Sequence, residues 1–225
     1  MERVVTNPGI LLLGLLLLTL ALSYFSNYFL SRIFLGQTYR YLVAPGVVVH
    51  EYSHAVACVL AGAKIRQIKV FEPTGGQVVH EEPRLPFGQG LISVAPIFGA
   101  AVTVYLLAQL LVPTFLRDGE LAISSWQFYL FVYLGATIAA TMAPSTTDLK
   151  AGAASYVVFC IMVGLAAEVG PVANYFAAIA GDSYDAFWNL LIFIMVILGG
   201  LAVASAVAYG ILHRTTRQGT HYTAE

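Results

Sequence analysis

Charge is what this sequence has least of. Only 10% of its 225 residues are charged while 59% are hydrophobic, and the mean hydropathy is +0.79. Those values exclude an ordinary soluble domain. A net charge of −1 offers no basic surface, so no nucleic-acid partner is expected. Cysteine is scarce too. Cys58 and Cys160 both fall inside apolar runs, which argues against a disulfide framework and for small buried residues. There is no internal repeat, and no low-complexity segment beyond the leucine run near the start.

What is present in abundance is long apolar runs. Windows of about 18 or more apolar residues are candidate membrane spans, and six occur, at roughly 8–30, 41–62, 89–112, 122–143, 151–180 and 186–212. The first also has the features of a cleaved leader, with Arg3 ahead of it and Ala21-Leu22-Ser23 as a tolerable cleavage site, but its length favours a retained span. The expected fold is an all-α polytopic membrane protein of about six transmembrane helices. It reads as a single transmembrane domain over 1–225, with C-terminal helices over 151–212 and a short tail, 213–225. Arg3, Lys64, Arg66, Lys69, Arg84, Lys150, Arg214 and Arg217 fall on one side of six spans and Arg32, Arg40 and Arg117 on the other. That bias places both termini, and the tail, in the cytoplasm of a multi-pass protein of the cell membrane.

The second window, "VVVHEYSHAVACVLAG", puts His50, Glu51 and His54 where a bilayer favours leucine. Ionisable side chains at mid-bilayer cost roughly 2.5–3.5 kcal/mol each on insertion scales, so three together need a shared purpose. In a helix, His50 and His54 lie one turn apart on one face. This is the HExxH arrangement, in which two imidazoles grip one Zn²⁺ and the glutamate between them handles the proton of the attacking water. Five His and eight Glu in 225 residues would produce that pattern by chance about 0.004 times. Cys58 continues the same face but lies a further turn along, and reads as packing.

Zinc still needs a third protein ligand. Glu72, His80, Glu81 and Glu82 follow the second span, Glu168 lies late in the fifth window, and Asp148 sits in "MAPSTTDLKAG". Asp148 reads equally well as a ligand and as a cap for the helix that restarts after Pro144. An uninterrupted fourth span would carry it roughly 20 Å deeper than His54, so ligation requires a broken, non-helical stretch around 143–148. In residues 64–87, apolar Ile65, Ile68, Val70 and Phe71 precede Pro73-Thr74-Gly75-Gly76, and Val78 and Val79 follow it. They read as a small membrane-associated β-hairpin on the cytoplasmic side, or as an ordinary loop. A hairpin edge would hold a substrate extended by β-augmentation. A water path to the site is expected from the cytoplasmic side.

The run "HEYSHAVACVLAGAKIRQIKVFEPTGGQVVHEEP", followed by "SVAPIFGAAV" and, further on, by Asp148, resembles the site-2 protease family of intramembrane zinc metalloproteases, over a core of about 40–155. The resemblance implies one Zn²⁺ per chain, with His50, His54 and Asp148 as metal ligands and Glu51 as general base. It implies a membrane-protein substrate cut within or near its transmembrane segment, in a lipid bilayer. Two departures stand out: the aspartate lies in "APSTTDLKAG", and Gly99, Ala100 and Ala101 follow the small-residue-Pro motif where an asparagine is common. Other classes compatible with the residues are a non-catalytic membrane scaffold or chaperone of the same fold, and a metal-ion transporter.

Overall fold

A chain this apolar, in a medium without hydrogen-bonding solvent, must satisfy its backbone internally, which favours helices. The computed structural model describes residues 8–34, 36–72, 75–117, 120–168, 196 and 198–211. These are mostly helical. α1 (Pro8–Ile33) is followed by α2 (Gln37–Leu60), the strands β1 (Ile65–Glu72) and β2 (Gly75–His80), and α3 (Gly88–Phe115). A two-residue pair, β3 (Leu116–Arg117) and β4 (Glu120–Leu121), leads to α4 (Trp126–Thr141) and α5 (Thr146–Glu168). A last helix, α6, covers Leu198–Ile211. Gly36, with φ of 63°, takes the left-handed conformation that turns the chain from α1 into α2.

Among the described residues, α2 and α3 are each long and apolar enough to cross a membrane, and α4 with Thr146–Ser155, bent by 68°, is a broken span or a re-entrant loop. Leu106 and Leu110 on α3 and Val56, Val59 and Leu60 on α2 are exposed, an apolar surface suited to lipid. The join between the fifth and sixth windows, 169–195, lies outside the described residues, so the six-span count stays an expectation. Small residues bring the helices together, as in other membrane bundles. A β-carbon added at Gly46 of α2 would overlap the Thr137 backbone and the Thr141 side chain of α4.

The fourth span differs from its sequence window of 122–143. Ser125 caps α4 by accepting from the Phe128 amide at 3.3 Å, and the helix stops at Thr141. Sixteen residues span about 24 Å, less than a hydrocarbon core of about 30 Å. Pro144 explains the stop, because it has no N–H for the carbonyl four residues back. That orphan carbonyl, on Ala140, instead accepts from the Ser23 hydroxyl of α1 at 3.1 Å, and the same hydroxyl accepts from the Ala143 amide at 3.1 Å. One buried serine thus satisfies both sides of the break.

The hairpin is antiparallel, with Ile65 opposite His80 and Ile68 opposite Val78. Its base seats Ile65 and Val78 on Ala57, Cys58, Ala61, Ala63, Ile92 and Ala95, and Cys58 is fully buried and unpaired, as expected of a packing residue. The side chain of Cys160 lies outside the described residues. The sequence predicts a membrane-associated hairpin with an edge strand beside the histidine-bearing helix. In the fold it turns back along α2, so its Gly75–Gly76 end reaches the level of Glu51.

Candidate metal centre

α2 presents His50, Glu51 and His54 on a helical stretch that continues to Leu60. Glu51 and His54 are buried, at 5% and 6% exposure, and His50 is nearly so. The two imidazoles meet edge to face, with their Nε2 atoms 3.2 Å apart. Each Nδ1 points away, to a main-chain carbonyl: His50 to Thr141 at 2.7 Å and His54 to Ile92 at 2.8 Å. A carbonyl only accepts, so each Nδ1 carries the hydrogen and each Nε2 presents a lone pair. Two lone pairs facing at that distance repel unless a cation lies between them.

Both acceptors exist because a helix is interrupted. Pro96 lies inside α3 and cannot donate to the carbonyl of Ile92, four residues back. Thr141 is the last residue of α4, and the amide that would continue the ladder, on Ser145, instead donates to Asp148 Oδ2 at 2.9 Å. The carbonyls that lost helical partners are the ones that orient the histidines. Sequence reasoning missed both, though the proline-minus-four rule applied to "SVAP" points at Ile92. The family resemblance had flagged this proline motif without a physical role for it.

Asp148 arrives from the far side of the break. The sequence reading expected it inside a non-helical stretch; the non-helical residues are 142–145, and Asp148 belongs to the first turn of α5. Ser145 and Asp148 form a reciprocal cap: Ser145 Oγ accepts from the Asp148 amide at 3.1 Å and donates to Oδ2 at 2.6 Å. The carboxylate that forms the cap is also the one that faces the histidines. Its Oδ2 lies 3.6 Å from His50 Nε2 and its Oδ1 lies 3.4 Å from His54 Nε2. The depth difficulty disappears because α4 ends at the level of His50.

His50, His54 and Asp148 thus offer three ligand atoms within 4.8 Å of one another. A tetrahedral ion with bonds of about 2 Å needs its ligands about 3.3 Å apart; the two Nε2 atoms are 3.2 Å apart, and each has one of the two carboxylate oxygens of Asp148 at 3.4 or 3.6 Å. The donor set of two imidazoles and a carboxylate, with Nδ1 partners in place, fits zinc. The other candidate ligands fall elsewhere. His80 Nδ1 bonds the Glu81 carbonyl, Glu81 pairs with Arg66 at the hairpin base, and Glu82 is exposed. The side chains of Glu72 and Glu168 lie outside the described residues.

Glu51 faces the tip of the hairpin, where a β-carbon at Gly76 would overlap the Glu51 carboxylate. Only glycine lets the strand approach the acid this closely. Gly99, in the place of the asparagine common after the small-residue-Pro motif, presses against Ser53 of α2 in the same manner. A cavity of about 510 Å³ borders the site. Its lining includes His50, Glu51, Val70, Phe71, Gly76, Thr141 and Ala143 to Thr146, and it extends past Tyr39 and Arg40 to Gly36. The cavity thus runs from the hairpin and Glu51 to the corner between α1 and α2.

A family model described as Peptidase M50B-like matches residues 15–211. No curated protein and no solved structure matches the chain.

Proposed function

The chain belongs to the M50B-like peptidase family, and from that membership and the site's geometry we propose that it is a zinc endopeptidase cutting membrane proteins within or near their transmembrane segments. Membership bears out the resemblance to the site-2 proteases read from the sequence. One observation carries the reading. Three donor atoms from segments 94 or more residues apart in sequence converge within 4.8 Å, beside a buried glutamate, where isolated ionisable groups are costly.

His50, His54 and Asp148 would hold one zinc, which when bound supplies Lewis-acid activation of water and of the scissile carbonyl. Glu51 takes the proton of the attacking water and returns it to the leaving nitrogen, so one carboxyl serves as base and then acid. The Ile92 and Thr141 carbonyls keep both imidazoles in the tautomer that leaves Nε2 free. A transmembrane helix hides its peptide bonds in its own hydrogen bonds, so a substrate must unwind before it is cut. Val70 and Phe71, near the end of β1, line the cavity beside Glu51. A substrate strand laid along β1 would present its bond to the acid.

Metal analysis and cleavage of a model transmembrane substrate, by the parent and by Glu51→Gln, test the reading. Zinc near one equivalent in both is expected, with turnover lowered roughly 10²–10⁴-fold in the variant. Zinc in both and cleavage by neither would mean a non-catalytic member of the family. The multi-pass chain would sit in the cell membrane with both termini cytoplasmic. Thiol labelling of a cysteine placed at position 219 from the cytoplasmic side alone is the expected result, and labelling from outside would overturn that orientation.

A further inference from the structure

The cavity beside Glu51 has a second pole. Besides His50, the basic and acidic residues lining it are Arg40 and Glu51, and Val43 and Val47 lie between these two on the same face of α2. The eleven positions from Arg40 to Glu51 correspond to about 16 Å of helix. The first turn of α2 carries no acidic side chain, and among the described residues no carboxylate pairs with Arg40. The wall beside it is built rather than open: Tyr39 of α2 donates a hydrogen bond to the Asn27 side chain of α1. A half-buried guanidinium facing such a chamber presents planar donors suited to a carboxylate and has none in the described fold.

We propose that this end of the cavity is a substrate subsite selecting a carboxylate, with Arg40 as its binding group, on a segment four or five residues from the bond cut at Glu51. The inference rests on the peptidase reading. An extended strand rises about 3.3 Å per residue, so five residues cover the distance between the poles, and the reach of the arginine shortens it to four. The carboxylate is an Asp or Glu side chain, or the terminal carboxylate of a substrate ending there. Lipid phosphate is the rival claimant for an arginine near a helix end.

The test uses the full-length, zinc-loaded protein in neutral phosphatidylcholine nanodiscs. Model transmembrane substrates carry a single Asp or Asn at each position three to six residues either side of the cut, with a free or an amidated C-terminus. The parent is expected to lose roughly tenfold in kcat/KM, mainly through KM, when Asp becomes Asn at one position, or when the terminus is amidated if the chain end is the ligand. Arg40→Gln should lose the same factor on the acidic substrate and discriminate no longer, and Arg40→Lys should recover part of it. Equilibrium binding of the same substrates to Glu51→Gln reads the subsite without turnover. If the parent treats acid and amide alike in both assays, the subsite is overturned and the peptidase reading stands. Discrimination in binding without cleavage by the parent would sustain the subsite and sink the peptidase. If Arg40→Gln lowers every substrate equally, and only in phosphatidylglycerol discs, Arg40 is a lipid anchor and the subsite is overturned.

Discussion

α2 carries His50, Glu51 and His54 on continuous helix, whereas Asp148 reaches the same point from a helix that stops at Thr141 and restarts at Thr146 after a bend of 68°. The two regions solve opposite problems. On α2 the spacing of the side chains is set by helix periodicity, and what must be supplied is something to hold the rings. At the break the backbone itself is exposed to need, and its freed groups must find partners in a medium that offers none. Each region answers the other: the Thr141 carbonyl left by the break holds His50, and Ser23 of α1 repairs what Pro144 removes. Irregular backbone in a membrane protein is therefore the source of the polar groups that orient the site.

The comparison breaks most completely on the α2 side. His54→Ala removes one of three ligands and should abolish both zinc retention and cleavage; metal analysis after gel filtration checks it. Retention of a full equivalent would mean that α2 is not the metal-binding half.

On the other side, cap and ligand can be separated. Asp148→Asn keeps an oxygen for the Ser145 amide but loses the anion, so zinc affinity should fall strongly while thermal stability changes little. Ser145→Ala keeps the anion and loses the cap, and is expected to cost about 1 kcal/mol of stability and to lower zinc affinity roughly tenfold through a less fixed carboxylate. Equal losses of stability in both variants would reduce Asp148 to a structural cap.

The smallest effect sharpens the comparison most. Pro96→Ala returns an N–H to α3 that competes with His54 for the Ile92 carbonyl. Zinc affinity is expected to fall roughly tenfold, toward the lower end for an outer-shell partner, while the protein becomes no less stable. Opposite signs for helix stability and metal affinity are the signature. Unchanged affinity would show that the Ile92 contact does not orient the ring.

How much was legible follows from range. The apolar windows located the helices, and the HEYSH spacing identified the α2 half of the site, because both depend on contacts within one turn of helix. The hairpin was readable from the apolar residues flanking its glycine turn, but not its packing; the seat of Ile65 and Val78 on Ala57, Cys58 and Ala95 involves the hairpin and two helices. Asp148 was one of six candidate ligands from the residues alone. The family resemblance singled it out before any geometry did.

The sequence by itself determined that the chain is apolar and helical, with a histidine pair and a glutamate on one helical face, since composition and a 3.6-residue period carry that information locally; the family came from its resemblance. Only the tertiary structure decided that α4 ends level with His50, that the capping carboxylate of Asp148 faces both imidazoles, and that the cavity runs from Glu51 to Arg40. Those outcomes depend on which distant group meets each carbonyl freed where a helix is interrupted. Proline chemistry predicts the vacancy, and only packing selects the partner.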